Sequence, residues 1–232
     1  MLILSVDTSS KSGSLALLRD STLLACLSDT SNEPYSSRLF RYLDAILGEQ
    51  AVSLPQIDLY TVSSGPGTFT GLRVGLTAVK GWAEVFGKPI AAVSSLQAVA
   101  AQSTSRHTLV APVLDAHRGQ IFGGLYEPSG DGLRRCADDV VMTAAEYLEM
   151  VLSEAAGAPL VFLSPHPLVL RPALDASPFR SSQIQEVSPV LAPLIGRLGL
   201  DLAKRGSLVD SLSLDAHYIR RSDAELLWKE RS

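Results

Sequence analysis

One arrangement of elements occurs twice in this sequence: a buried strand ends in an aspartate and is followed by a polar turn and a second strand. Residues 2–7, LILSVD, form the first copy, and residues 109–115, LVAPVLD, form the second. Asp7 and Asp115 hold corresponding places, 108 residues apart. Because the similarity extends over whole elements as well as single residues, it predicts two related units within one chain.

The element order around the first copy indicates the class of fold. Over about the first 105 residues the pattern predicts the order β-β-β-α-β-α-β-α, which indicates a mixed sheet flanked by helices, as in RNase H-like units. The predicted strands cover residues 2–7, 13–19, 22–28, 57–63 and 90–93, and the predicted helices cover 34–49, 71–86 and about 95–103. We therefore predict an α/β protein with an N-terminal unit over 1–105 and a more divergent unit over 106–232.

The second unit begins with the same elements as the first, and its later elements follow a less regular pattern. Its predicted strands cover residues 109–115, 120–126, a stretch after Gly132 and 160–164, and its predicted helices cover 143–153 and 189–205. The proline-rich stretch 165–178 is predicted to be irregular. No long linker separates the halves, so we expect a tight junction between the two units.

Composition and charge narrow the functional classes. The chain has 232 residues, of which 46% are apolar, and its net charge is −4. A protein that binds nucleic acid by itself usually has a basic face, so the acidic balance does not favour that class. A solvated helix face is the favoured interpretation of the one basic cluster, with an RNA contact left open; it contains Arg220, Arg221, Lys229 and Arg231.

Cysteine usage and hydropathy predict a cytoplasmic protein. Cys26 and Cys136 both lie in apolar, strand-like runs, which favours buried thiols in a reducing compartment over a disulfide. The N-terminus enters a strand directly, so no signal peptide is expected. No apolar run approaches the ~20 residues that span a bilayer, so we expect no membrane contact.

The loop Asp7-Thr8-Ser9 is a candidate phosphate site. An aspartate at the end of a first strand, before a small polar turn, can orient Mg²⁺ while backbone N–H groups hold a phosphate. Such turns usually contain a glycine, which this one lacks. The corresponding loop of the second unit, after Asp115, has the bulky residues His117 and Arg118 at its opening. We interpret the first loop as a vestigial site, with an aspartate-capped turn favoured over a working ATPase.

Other catalytic chemistry finds little support in the sequence. No two of the four histidines are spaced three or four residues apart, as a metal pair on one helix face requires, and the cysteines are far apart. No G-x-S-x-G nucleophile elbow is present. We therefore predict no metal site and no catalytic residues.

Residues 65–75, GPGTFTGLRVG, are the most unusual segment. Its glycines match neither the P-loop nor the dinucleotide-binding fingerprint, although a glycine-rich turn before a helix can bind phosphate. In the following helix, Gly71, Gly75 and Ala78 fall at i, i+4 and i+7, which predicts a smooth strip. The helix is apolar on much of its circumference, so part of it packs internally and the rest favours a protein interface.

At this segment the chain resembles the TsaB (YeaZ) family, whose typical pattern is GPGSFTGLRxG and differs here only at Thr68. The opening LILSVDTSSKSGSLAL, the strand over 57–63 and the C-terminal YIRRSDAE are also similar to that family. The resemblance covers the first half well and the second half loosely. It implies an actin/Hsp70-like (ASKHA) fold with a degenerate nucleotide site, so no cofactor is expected, although residual ATP or ADP binding at the cleft or in a complex stays open.

The resemblance also implies a non-catalytic role in tRNA threonylcarbamoyladenosine modification. In that family a TsaD-like subunit carries out the chemistry and pairs with the first two helices of the TsaB-like protein. A TsaE-like ATPase joins this pair, and tRNA contacts the TsaB-like protein only through the complex. In isolation, the TsaB-like protein forms a homodimer through the same surface. Here those helices are residues 34–49 and 71–86. The expected interface residues are Ser36, Leu39, Leu43, Gly71, Val74, Gly75, Ala78 and Trp82.

Two departures and two alternatives accompany this resemblance. Tyr35 stands where the family often has a histidine, and Gln120 lies in a strand that has lost the family's usual carboxylate. A small-molecule kinase or ATPase of the same fold and, less supported, a peptidase remain the alternatives. The smooth strip further predicts that Gly75→Arg abolishes pairing and leaves the monomer folded.

Overall fold

The N-terminal half forms a five-stranded mixed sheet with three helices. The computed structural model describes residues 1–30, 33–130, 132–180 and 182–219. The first sheet contains β1 (Leu2–Asp7), β2 (Ser14–Arg19), β3 (Thr22–Ser28), β4 (Leu59–Gly65) and β5 (Ile90–Ser94). The helices are α1 (Tyr35–Glu49), α2 (Phe69–Phe86) and α3 (Ser95–Ala100), so the predicted element order is confirmed.

The second half forms another five-stranded sheet. Its elements are β6 (Leu109–His117), β7 (Gln120–Ser129), β8 (Gly132–Thr143), α4 (Ala144–Ala155), β9 (Leu160–Ser164), α5 (Arg171–Asp175), β10 (Ile184–Glu186) and α6 (Ala192–Lys204). The prediction of an irregular stretch over 165–178 was wrong, since α5 lies within it. Leu170 and Leu174 are buried in the core of the second sheet, so this segment packs on the sheet through one apolar side, which a short helix provides.

The two sheets share one topology. The first has the strand order β3-β2-β1-β4-β5 and the second β10-β9-β6-β7-β8, which is the same order read from the other side. In each, the first strand runs antiparallel to the second and parallel to the fourth. Asp7 and Asp115 therefore end corresponding central strands, and the predicted fold of two RNase H-like units, each a mixed sheet flanked by helices, is confirmed.

The faces of β1 show how helices cover the first sheet. Successive side chains of a strand point to opposite faces. Leu4 and Val6 pack with the apolar sides of α1 and α2, whereas Ile3 packs with α6. The first sheet is therefore buried on both faces, and α1 and α2 lie side by side on the one away from α6.

One helix of each half packs against the sheet of the other half. In α6, the N–H of Ala192 donates to Ser14 Oγ at 3.0 Å, and its carbonyl accepts from Ser5 Oγ at 2.6 Å, which fixes the helix on the first sheet. In return, Leu96 and Val99 of α3 pack with the core of the second sheet. The sheets lie on either side of residue 105, but these exchanged helices join them, and the division into units 1–105 and 106–232 stays a prediction.

Cysteines and hydropathy complete the description of the fold. Cys26 and Cys136 are free and half-buried, so they are less enclosed than the sequence predicted. Within the described ranges no helix has both the length and the apolar character needed to cross a bilayer.

Candidate functional site

Thr8 joins the first loop to the start of α2. Its Oγ1 donates to the carbonyl of Gly71 at 2.7 Å and accepts from the N–H of Gly75 at 3.1 Å. One turn earlier, the N–H of Thr68 donates to the carbonyl of Ser9 at 2.8 Å. The segment GPGTFTGLRVG is thus folded onto the loop that follows β1.

The glycines of this segment allow that close contact. A β-carbon at Gly71 would overlap the carbonyl oxygen of Thr8, and one at Gly75 would overlap Thr8 Oγ1. The prediction that Gly71 and Gly75 belong to a strip facing a partner was therefore wrong. These positions face the protein's own loop because only residues without a side chain let the backbone of α2 approach Thr8 so closely.

A groove of about 670 Å³ runs between α1 and α2. Small residues on both helices, among them Ser36, Ala78 and Gly81, leave it unfilled. Phe40 stands at its edge, 54% exposed, with its ring packed against Trp82 in a T-shaped arrangement at 6.4 Å between centroids. The groove is an apolar surface that the described residues of the chain leave uncovered.

The groove gathers most of the predicted interface residues. Its wall contains Ser36, Leu39, Val74, Ala78 and Trp82. Leu39 and Trp82 are largely buried and contribute only an edge, so they belong to the core as much as to the groove. Leu43 is 3% exposed and packs inward among the core residues, so its inclusion was wrong.

Several groove residues were missed from the sequence. They are Phe40, Phe69, Thr70, Arg73, Thr77 and Gly81. The available signal was Phe40, an aromatic residue on the otherwise polar side of α1, where a large apolar side chain stays mostly exposed.

Asp7 is withdrawn from the surface. Its side chain is fully buried, Oδ1 accepts the N–H of Ser9 at 3.0 Å, and Oδ2 has no hydrogen-bond partner in the described part of the chain. Burial raises the pKa of the carboxyl above its usual value, and the hydrogen bonds from Ser9 only partly oppose that effect. Burial therefore disfavours the charged form of this carboxyl, and its side chain does not line the cleft.

Tyr35 closes the same loop from the side of α1. It is buried, and the guanidinium of Arg38 lies 3.9 Å from the centroid of its ring. Its hydroxyl fits against Gly13, where a β-carbon would overlap it. The aromatic residue that departs from the family pattern therefore fills space behind the first loop.

Asp7→Asn is expected to stabilise the protein at neutral pH. Because the folded-state pKa is raised, the native state holds this proton more tightly than the unfolded chain, so stability falls as pH rises from the unfolded pKa through the folded one. Asparagine removes that loss, and a tenfold difference in proton affinity is worth about 1.4 kcal/mol. Urea unfolding at pH 4 and pH 7 measures the change.

The matched control is Asp44→Asn, which removes an exposed carboxyl from α1. We expect it to change the free energy of unfolding at pH 7 by much less than D7N does, because the Asp44 side chain is exposed. A D7N variant that is clearly less stable than the parent at pH 7 would contradict this account, because it would mean that the folded protein needs the ionised carboxylate.

A second cavity, of about 710 Å³, lies where the two units meet. Ser9 reaches it from the first loop, while Asp7 and Thr8 lie behind it. The second loop supplies Asp115, His117 and Arg118. Of the three residues predicted as a vestigial phosphate loop, only Ser9 therefore faces the cleft between the units.

The loops of the two units repeat one local structure. The N–H of His117 donates to Asp115 Oδ1 at 2.7 Å, as the N–H of Ser9 does to Asp7 Oδ1 at 3.0 Å. In both, the aspartate caps the backbone two residues on. Across the described segments, no group of three or more histidine, cysteine, aspartate or glutamate side chains is placed to hold a metal ion.

Sequence comparison identifies the family. The TsaB protein of Bacillus subtilis (strain 168), named for tRNA threonylcarbamoyladenosine biosynthesis, is 30% identical over 234 residues, which cover 99% of each chain. The chain belongs to the TsaB (YeaZ) family. The family model described as "TsaD: tRNA N6-adenosine threonylcarbamoyltransferase" also matches residues 29–170.

Further TsaB relatives agree with this assignment. The TsaB protein of Escherichia coli (strain K12) is 30% identical over 135 residues, or 57% of this chain and 58% of that one. A Pseudomonas aeruginosa crystal structure described as similar to peptidase YEAZ superposes with a TM-score of 0.80, at 24% identity over 94% of this chain and 99% of that chain. At that identity the superposition shows that the two chains share a fold.

Most of the C-terminal segment that resembles the TsaB family lies outside the described residues. The ending YIRRSDAE is described only at Tyr218 and Ile219. The predicted basic cluster lies outside the described residues; it contains Arg220, Arg221, Lys229 and Arg231.

Proposed function

We propose that this chain takes part in tRNA threonylcarbamoyladenosine biosynthesis as a non-catalytic scaffold subunit. The observation that carries the proposal is the apolar groove between α1 and α2, which Phe40 and Phe69 border with exposed rings. An uncovered apolar surface of this kind marks a protein interface more often than it serves the monomer. The family names indicate which pathway that interface serves.

The proposed partner is a TsaD-like catalytic subunit seated on this groove. An interface of standard size would bury about 800 Å² per partner, with the groove at its centre. A TsaE-like ATPase would join the pair, and tRNA would contact this chain only through the complex, in the cytoplasm. Without the partner, two copies would pair through the same surface.

The non-catalytic role is supported by the state of the first loop. Asp7, the residue that would orient a metal ion, is buried with a raised pKa. Thr8 is committed to Gly71 and Gly75 of α2. The residues that would hold phosphate chemistry are used to anchor α2, which forms one wall of the groove.

Reconstitution tests the proposal. We expect modification of tRNA by a TsaD-like subunit to require this chain, and this chain alone to modify none. Asp7→Asn should support modification as well as the parent does, because the proposed role does not use the carboxylate. Activity of the isolated chain, or a loss of a hundredfold or more in D7N with folding intact, would contradict the scaffold role.

A further inference from the structure

The first loop, which links β1 to β2, contacts α1 as well as α2. On the α2 side, the hydroxyl of Thr8 bonds to the carbonyl of Gly71 and to the N–H of Gly75. On the α1 side, Nη2 of Arg38 donates to the carbonyl of Lys11 at 3.1 Å. One short loop therefore holds both of the helices that form the walls of the groove.

The contact between Thr8 and α2 is a specific one. Gly71 and Gly75 lie four residues apart, which is the spacing of one backbone hydrogen bond in an α-helix. The Thr8 hydroxyl therefore contacts the acceptor and the donor of a single turn of α2. Thr8 is 2% exposed and lines neither the groove nor the cleft. Its hydroxyl thus contributes to the position of α2 and not directly to either surface.

Two buried side chains hold the start of α1 on the same loop. The guanidinium of Arg38 lies over the ring of Tyr35 and is ion-paired with Asp29. A β-carbon at Gly13, in the loop, would overlap the hydroxyl of Tyr35. Neither Tyr35 nor Arg38 lines the groove. The start of α1 therefore rests on the loop through buried groups, as α2 does.

The open groove makes these supports important for the spacing of the helices. A volume of about 670 Å³ between α1 and α2 is not filled by the described side chains, so packing across that space does not fix their separation. The separation depends on what each helix rests on, which is the first sheet and the first loop. A binding surface loses complementarity when its supporting residues let it shift by about 1 Å.

We propose that the first loop is a positioning element for the docking groove, in which Thr8 and Arg38 set the separation of α1 and α2 without lining the groove. The proposal rests on the proposed function, because it takes the groove to be the docking surface. A surface that is held in its bound shape binds more tightly, since less ordering is required on association. The two residues therefore act on the partner's affinity through the helices that they hold.

Thr8→Val tests the proposal, because it removes the hydroxyl and keeps a side chain of similar shape. We expect the Kd for a TsaD-like subunit to rise about tenfold, as the loss of a buried hydrogen-bonding group predicts. Thr8→Ser, which keeps the hydroxyl, should restore a Kd within about threefold of the parent's. Arg38→Met removes the bond to Lys11 and should weaken pairing from the side of α1. Titration calorimetry measures Kd, and thermal unfolding checks that each variant is folded.

Thr143→Val is the matched control. The Oγ1 of Thr143 accepts the N–H of Glu146 at 3.3 Å and caps α4 in the second unit. The same substitution there removes a hydroxyl that supports a helix outside the groove. We expect T143V to lower the melting temperature and to leave Kd unchanged, because a loss of stability alone does not alter the groove.

A distance between spin labels reports the separation of the helices in the free chain. The labels replace Ser37 on α1 and Lys80 on α2, which do not line the groove, in a background without the two native cysteines. We expect T8V to shift or broaden the distance by about 1–2 Å, the size of helix movements at interfaces, and T143V to leave it unchanged.

Three results would overturn the proposal. They are pairing of T8V as tight as that of the parent, pairing of T143V as weak as that of T8V, and a label distance that T8V leaves unchanged. Failure of the parent chain to pair with a TsaD-like subunit would instead contradict the proposed function. In that case the label distance would still decide whether the first loop positions the helices.

Discussion

Gly75→Arg is expected to destabilise the isolated chain by about 3 kcal/mol or more, rather than to disturb pairing alone. A β-carbon at this position would overlap Thr8 Oγ1, and the guanidinium would be forced between α2 and the first loop. Overpacking a tight contact costs about 1–3 kcal/mol, and burying an unpaired charge adds to that. Against a typical stability of about 5–15 kcal/mol, the loss is large.

Urea unfolding of the purified variant measures this effect, and Gly81→Arg is the matched control. Gly81 lies on the same helix, and a β-carbon there meets no atom within 4 Å. We expect G81R to unfold at nearly the parent's urea concentration and G75R at a much lower one. Equal stability of the two variants would show that Gly75 does not face Thr8.

Ala78→Arg is expected to weaken pairing with a TsaD-like subunit about thirtyfold or more while the chain stays folded. Ala78 lines the groove and is partly exposed, so an arginine there can extend toward solvent in the free chain. In the complex it would occupy the space reserved for the partner. Obstructing the centre of an interface costs about 2 kcal/mol or more, which raises Kd about thirtyfold or further.

Titration calorimetry with the partner measures Kd, and thermal unfolding checks the fold. The control is Val85→Arg, which introduces the same charge on the same helix at a residue that is 74% exposed and does not line the groove. V85R should bind like the parent. If A78R binds equally well, the groove is not the pairing surface.

The sheets could be predicted from the sequence because their signals are local. Each central strand is a run of apolar residues that ends at an aspartate, and turn residues bound the neighbouring strands. The repeat of that pattern led to two units, and both sheets have the same strand order. The small elements α5 and β10 were not predicted, since their burial depends on Leu170, Leu174 and the sheet beneath them.

The direction in which α2 turns its glycines could not be predicted. Helical spacing shows that Gly71, Gly75 and Ala78 share a side, but it does not show what that side meets. The deciding contact is with Thr8, 63 residues from Gly71 along the chain. The spacing of small residues correctly marked α2 as an unusual helix. Only the contact with Thr8 shows that its glycines pack against the first loop while Ala78 lines the groove.

The charge of the cleft was also missed. From the sequence, His117 and Arg118 were read only as bulk that blocks a phosphate loop. In the structure they line a cavity together with Lys11 and Arg73, which come from distant parts of the chain. Charges that converge only through tertiary structure leave no signature in a sequence whose overall balance is acidic.

Site-specific photo-crosslinking tests the proposed interface most directly. A photoreactive residue replaces Thr77, which is exposed and lines the groove, or Leu152, which is exposed on α4 in the second unit. Each protein is irradiated with an excess of a TsaD-like subunit. We expect the partner to be captured from position 77 and not from position 152. Capture from 152 with none from 77 would contradict the assignment of the groove between α1 and α2 as the docking surface.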